Sequence, residues 1–481
     1  MKSINMKTKA QIIQEIEEAE VHYQQVSLDP YRLKFHLMPL VGSLGDPNGM
    51  SYVSGVYHLY FIYSPRSYFN ESRSVNTWGH YTTKDFIHFK RQSNTLYPDI
   101  KEDRNGIYSG CIYFENGVFH TLYTGNVRLQ GDYDYVLNGR EQNLIYTYSK
   151  DGIHFDYPKT VLMKNEDYPS GLTLHVRDPK IYKENDMYYM VLGARKIDDS
   201  GCVLLYQSTN LKDWQFIHEI NTLKPFGYMW ECPDLICLDH DYFLITCPQG
   251  VKQQGDLYQN QHQCGYFKIE GDFKSDYQLK SFKQFDYGFD FYAARTFSDG
   301  KRTILVAWLG MSESEYTINH ITQKNGWQQA IALPRVLVNR NGQIYQQPLE
   351  EMTQLRQSHH RYLLNQDQVT FNASTFELVV AIEDQSNFTL TLKNDCVLHY
   401  QSGVLSLNME HSGDGRLSRY VKLSQLYKLQ IFVDTSAIEV FVNDGELTMS
   451  SRVFDLDDCV KIVASKAKVD YYQLSGYIYE M

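Results

Sequence analysis

The chain has 481 residues, a formal charge of −11 and 14 % aromatic side chains, including 39 Tyr and 24 Phe. A typical domain holds about 100–200 residues, so two or more cores are expected, and the aromatic weight favours strands and clefts that stack on sugar rings. The acidic balance argues against nucleic acid as the main partner, because phosphate neutralisation needs a basic surface, and no apolar run of about 18 residues is present to span a membrane.

In residues 1–29, Ile12, Ile13, Ile16 and Ala19 recur at helical spacing between Lys7 and Tyr23, which predicts one short amphipathic helix packed on the main body. Lys2, Lys7 and Lys9 with Glu15, Glu17, Glu18 and Glu20 leave no apolar core for a secretory signal, so a cytoplasmic location is expected. The eight cysteines, from Cys111 to Cys459, include no CxxC pair, and in that compartment they are expected to be reduced.

Residues 30–350 repeat themselves. Aromatic or β-branched runs begin at Val56, Val118, Met187, Tyr242 and Arg302, each after a turn: Ser54-Gly55, Asn116-Gly117, Asn185-Asp186, Asp239-His240-Asp241 and Asp299-Gly300. Hairpins about sixty residues apart, with several short strands per unit, predict a five-bladed β-propeller. Before the hairpins stand Asp46-Pro47-Asn48-Gly49, Tyr108-Ser109-Gly110-Cys111, Arg177-Asp178-Pro179-Lys180, Glu231-Cys232-Pro233-Asp234 and Tyr292-Ala293-Ala294-Arg295. Their shared register places all five at the start of innermost strands, converging on one end of the central channel. Asp46, Asp178 and Glu231 would then meet, and carboxylates gathered this way are tolerated mainly for chemistry.

Residues 355–481 change to plain alternation, as in Phe376-Glu377-Leu378-Val379-Val380 and Lys428-Leu429-Gln430-Ile431-Phe432-Val433, with an Asp444-Gly445 hairpin turn. This predicts a C-terminal antiparallel β-sandwich, so the whole chain reads as all-β apart from its first helix.

Three acidic residues in one funnel suit glycoside hydrolysis, in which one carboxylate attacks the anomeric carbon and a protonated one donates to the leaving oxygen. Alone, Asp46-Pro47-Asn48-Gly49 reads first as a turn sequence and Arg177-Asp178-Pro179 as a strand entry; the repeated register is what gives the set its meaning. The chain resembles glycoside hydrolase family 32, the invertase and sucrose-6-phosphate hydrolase group. The resemblance rests on Asp46-Pro47-Asn48-Gly49, Trp78-Gly79-His80, Tyr123-Thr124-Gly125-Asn126, Arg177-Asp178-Pro179, Trp230-Glu231-Cys232-Pro233-Asp234, Pro248-Gln249-Gly250, Leu333-Pro334-Arg335 and Glu439-Val440-Phe441-Val442-Asn443-Asp444-Gly445. It implies Asp46 as nucleophile, Glu231 as acid/base and Asp178 as transition-state stabiliser acting with Arg177, in a retaining cycle that needs no metal or cofactor. Glu231 must then carry the proton at working pH. Around these three, the positions expected to line the substrate pocket are Ser43, Leu44, Gly45, Ile62, Arg73, Tyr108, Ser109, Arg177, Cys232, Tyr292 and Arg295.

Several of these depart from the family. Ser43, Gly45, Ile62 and Arg73 stand where the family usually has Trp, Asn, Gln and Trp, and Arg295 replaces a Gln. Two readings follow: an enzyme for a different or phosphorylated sugar, with Arg66, Arg73 or Arg295 contacting the anion, or a sugar-binding protein whose pocket has decayed. A fructosyltransferase shares the same ester intermediate. The expected partner is a small sugar or sugar phosphate, with short fructans within reach, and the sandwich offers a surface for a homodimer. The missing amide contacts predict slow turnover of unmodified sucrose.

Overall fold

The computed structural model describes residues 6–69, 75–314, 317–383 and 387–480; Arg73 lies outside them. The chain is built from strands, with a helix at Lys9–Glu20 that buries Ile12, Ile16 and Ala19. Thr8 caps that helix: its hydroxyl accepts the Gln11 amide N–H, and the Gln11 side chain accepts in return from the Thr8 N–H.

Between Gly42 and Pro348 the strands form a succession of small antiparallel sheets. Four are meanders whose first strands are Ile107–Glu115, Leu172–Glu184, Met229–Leu238 and Tyr292–Ser298. The sheet that begins with Gly42–Val53 has six strands, because Trp327–Gln328 and the C-terminal Ile478–Glu480 add to its two edges in parallel. The five first strands pack one on the next in a closed ring, Tyr292–Ser298 returning to Gly42–Val53. This is a β-propeller.

Every first strand carries the same irregularity. Pairing with the second strand slips between Leu44 and Pro47, Ile107 and Gly110, Arg177 and Lys180, Glu231 and Asp234, and Tyr292 and Arg295, so one extra residue is accommodated each time. These β-bulges fall on the five tetrapeptides singled out in the sequence. Asp178, Cys232 and Ala293 take the left-handed conformation there, with φ of 65°, 50° and 53°. A bulge twists the strand and re-aims its side chains, and the repetition turns five strand starts toward one funnel.

From Arg356 onward a single ten-stranded sheet folds over itself as a sandwich. Its hinge is the long strand Cys459–Leu474, which pairs along its length with Arg356–Asn372. One half of it also pairs with Phe388–Leu392 and the other half with Phe376–Ile382. Leu378, Leu390, Leu398, Ile431, Val440 and Ile462 pack between the layers as one core.

Propeller and sandwich meet across buried charge. His36 donates from Nδ1 to Asp434 (2.8 Å) and from Nε2 to Glu439 (3.1 Å), and Arg335 Nη2 donates to Glu439 (2.8 Å) and Asp286 (3.2 Å). Arg416 clasps Asp290 at 2.6 and 2.7 Å. The Asp444-Gly445 turn docks on the propeller: a Cβ on Gly445, whose φ is +92°, would lie 1.8 Å from the Gln346 carbonyl oxygen. All eight cysteines are free, six of them buried. Among the described residues no helix is long and apolar enough to cross a membrane.

The two carboxylates around His36 outweigh its burial and raise its pKa from 6.5 to about 9. A raised histidine contributes stability that is complete below its unfolded pKa and is lost as pH rises through the folded one. Thermal unfolding of the protein is therefore expected at progressively lower temperature from neutral pH toward about pH 9. His36→Gln should remove that slope and cost about 3–5 kcal/mol, because it leaves buried carboxylates short of a cation; an unchanged alkaline slope in the variant contradicts the assignment.

Candidate active site

The bulges bring the three acidic residues together from three separate sheets. Asp46 is half-buried and its Oδ2 accepts the Ser109 hydroxyl at 2.5 Å, with the Cys232 thiol 4.0 Å away. Asp178, fully buried, accepts the Cys232 amide N–H on Oδ2 (3.0 Å), and its own N–H donates to the Thr124 hydroxyl (3.0 Å). Glu231 accepts from the most donors. Arg177 reaches Oε1 through Nε (3.1 Å) and more closely through Nη2, while Gln249 Nε2 (2.9 Å) and the Tyr292 hydroxyl (2.7 Å) donate to Oε2.

Electrostatics divide the set. Burial, together with the charges of Asp178 and Glu231, raises the Asp46 pKa to about 7, against the opposing pull of Ser109 and Arg295. Burial likewise raises Asp178, with Arg177 pulling it back and Glu231 adding to the rise. Glu231 is met by three donating side chains, Arg177, Gln249 and Tyr292. The sequence reading expected Glu231 to carry a proton at working pH; the carboxyl whose pKa is raised to about 7 is Asp46, which accepts the Ser109 hydroxyl.

The expected pocket positions fall into two groups. Ser43, Gly45, Ile62 and Tyr108 are partly exposed, and Ser109, Arg177 and Tyr292 are buried against the carboxylates. Gly45 faces Ile62 across the first hairpin: a Cβ there would sit 3.5 Å from the Ile62 Cβ, an ordinary contact. Leu44 differs from expectation. It is fully buried in the main hydrophobic core, because its place in the strand alternation before the bulge turns it away from the funnel. Arg295 is likewise no pocket-lining anion receptor: it is 2 % exposed and donates to the carbonyls of Pro233 (2.7 Å) and Asp178 (3.3 Å), under the carboxylates rather than over them. Cys232 is 2 % exposed and takes part through its backbone N–H and its thiol near Asp46. Arg66 lies 3.7 Å from Glu18.

Thr124, Gln249, Gln142 and His175 join the site although the sequence reading assigned them no role in it. Thr124 and Gln249 stand in the quoted Tyr-Thr-Gly-Asn and Pro-Gln-Gly stretches, both on second strands; Gln249 meets Glu231 across its own hairpin, whereas Thr124 meets Asp178 of the next sheet.

Residues 36–348 match the model of the glycosyl hydrolases family 32 N-terminal domain, and residues 351–475 match that of the family's C-terminal domain. The chain belongs to glycosyl hydrolase family 32. Among its relatives, sucrose-6-phosphate hydrolase of Bacillus subtilis is 35 % identical over 466 residues, covering 93 % of this chain and 94 % of that protein. The solved sucrose-6-phosphate hydrolase of Lactobacillus gasseri superposes with a TM-score of 0.84 at 26 % identity, over 97 % of each chain. The Bombyx mori family 32 β-fructofuranosidase gives 0.83 at 28 % identity, over 97 % of this chain and 98 % of that one.

For this family 32 member, a carbon-13 carboxyl titration is expected to show one group with an apparent pKa of about 7 that vanishes in Asp46→Asn. Ser109→Ala removes a donor to the ionised form and should move that titration upward. An upper titration that stays in place when Ser109 is changed would rule out the hydrogen bond as a determinant.

Proposed function

We propose that this glycosidase is a retaining β-fructofuranosidase, cleaving a terminal β-D-fructofuranosyl linkage in sucrose, sucrose 6-phosphate or a short fructo-oligosaccharide. The observation that carries the reading is the arrangement of three bulged strand starts that point Asp46, Asp178 and Glu231 into one funnel, with Arg177 bridging from the Asp178 strand to Glu231. Asp46 attacks the anomeric carbon of the fructosyl unit as Glu231 gives its proton to the departing glycosidic oxygen. The resulting fructosyl ester on Asp46 is hydrolysed when Glu231 takes a proton from the incoming water. Asp178, fixed by the Cys232 N–H, accepts from ring hydroxyls as positive charge develops on the sugar, and Arg177 sets the orientation of Glu231.

The same reading counts five blades, supported by five sheets and their ring of first strands. It treats 30–350 as the catalytic domain, 355–481 as the sandwich and 1–29 as an accessory helix and lead-in. A reducing, cytoplasmic setting accords with eight free cysteines.

Asp46→Asn should lower release of fructose from every accepted fructoside by about 10³-fold or more, since it removes the nucleophile itself. Glu231→Gln should lose activity comparably on sucrose but much less on a fructoside with a good leaving group, which needs no proton. Equal residual activity of both variants and wild type on a panel of sucrose, sucrose 6-phosphate, inulin-type and levan-type oligosaccharides would overturn the assignment.

The apolar meeting of Gly45 and Ile62 bears on rate. Two missing polar contacts at about 1–3 kcal/mol each would hold sucrose turnover well below a kcat of about 10² per second. Gly45→Asn combined with Ile62→Gln should raise kcat/KM on sucrose about tenfold or more; a decrease would show that the pair serves a different sugar.

A further inference from the structure

Two of the donors on Glu231 share a support. Gln249 Nε2 and the Tyr292 hydroxyl both reach Oε2, and one buried ring, that of His262, meets the residues that carry them. After the strand Asp241–Gln249 the chain makes an excursion and returns antiparallel, so that His262 pairs with Gln249 in a single bridge and the Gln263 N–H donates to the Pro248 carbonyl (2.9 Å). His262 is 1 % exposed; its ring stands edge-on to Tyr228 (6.3 Å between centroids) and tilted against Tyr292 (6.2 Å).

The two ring nitrogens have different surroundings. Nδ1 lies 3.2 Å from the Gly250 nitrogen and 2.8 Å from the Gln261 carbonyl oxygen. Nε2 is buried, has no hydrogen-bond partner among the described residues, and stands 3.8 Å from Oε2 of Glu313. A neutral imidazole carries one proton, so one of two arrangements holds. With the proton on Nδ1, the ring donates to Gln261, the Gly250 N–H meets a second donor, and the Nε2 lone pair faces a carboxylate. With the proton on Nε2, Nδ1 accepts from Gly250 and the far N–H points at the Glu313 charge. The Gln261 carbonyl opposes the second arrangement, which leaves the choice to the charge beside Nε2.

Glu313 is placed to make that choice. It follows the strand Thr303–Trp308, and the His262 ring, then the charges of Arg177 and Arg140, hold its carboxyl below the usual carboxylate range against desolvation. It is therefore ionised at neutral pH. At the other end of the ring the turn has no slack: Gly250 has a φ of +74°, and a Cβ on it would come 2.5 Å from the Tyr228 ring.

We infer that Glu313 and His262 are positioning residues for the proton donor of the reaction: Glu313 fixes the imidazole with its proton on Nε2, Nδ1 then holds the Gly250 N–H, and the anchored turn keeps the Gln249 amide on Glu231. The inference rests on the reading of Glu231 as acid/base, whereas the tautomer of His262 is independent of it. Neither residue touches the reacting atoms. A donor carboxyl that drifts from the departing oxygen transfers its proton poorly, while attack by Asp46 is left intact, so the couple should matter only for leaving groups that need a proton.

Nitrogen-15 NMR of histidine-labelled protein should show His262 with a protonated Nε2 and a bare Nδ1, and Glu313→Ala, a change at a side chain 65 % exposed, should shift the ring toward the Nδ1–H form. His262→Phe should lower kcat/KM on sucrose by about 10–100-fold, through kcat with KM held within about threefold, and change kcat/KM by less than about threefold on an aryl fructofuranoside, whose leaving group departs without a proton. His262→Asn, whose Oδ1 replaces Nδ1 as acceptor, should recover most of the loss, and Glu313→Ala should show the same split between substrates in smaller degree. Equal losses on both substrates in His262→Phe would make the ring a packing residue and overturn the proposal. An Nδ1–H ring in wild type, or a tautomer indifferent to Glu313→Ala, would overturn it as well, even if no histidine variant folds. If neither fructoside is cleaved while the tautomer responds to Glu313 as described, the acid/base reading fails and the Glu313–His262 couple stands.

Discussion

Three carboxyl groups in one poorly hydrated funnel repel one another, and the rest of the propeller is arranged around making that tolerable. No single sheet supplies the means. Arg177 comes from the strand that carries Asp178 and satisfies Glu231 on the next sheet; Ser109 comes from the sheet after that of Asp46; Arg295 lies beneath, bound to the carbonyls of Pro233 and Asp178. Each acid is thereby held by a neighbour's donors, and the site exists only when the ring is closed. Burial, with the charges of Asp178 and Glu231, leaves the Asp46 pKa raised to about 7 even so.

Closure has its own requirements. Trp327–Gln328 adds to the first sheet from within the propeller, and Ile478–Glu480 adds to it from the far end of the sandwich, so the last residues of the chain help hold the first blade. The buried pairs His36 with Asp434 and Glu439, Arg335 with Glu439, and Arg416 with Asp290 fix the orientation of the two parts by direction as well as by contact. An apolar seam could slide; a set of charged hydrogen bonds with one geometry does not. The sandwich thus acts as a brace for the sheets that carry the chemistry.

Within this frame the surroundings of the acids fall into two regions. Next to Asp46, Gly45 and Ile62 meet across the first hairpin in an apolar contact. On another side, Arg177 joins Glu231 to the His175 ring, whose pKa burial and the charges of neighbouring guanidinium groups push down.

The sequence by itself determined the β character, the repeat and the five strand starts, because each depends on neighbours close in the chain: turn residues, alternation and a fixed period. It also located the Asp444-Gly445 turn and the first helix for the same reason. The tertiary structure decided which side of each strand start faces the funnel. A one-residue bulge reverses the alternation beyond it, so Leu44 entered the core while Asp46 faced the channel, and Arg295 turned inward. Contacts between sheets were equally out of reach, since Thr124 to Asp178 and Gln142 to Arg177 join residues that no local pattern relates.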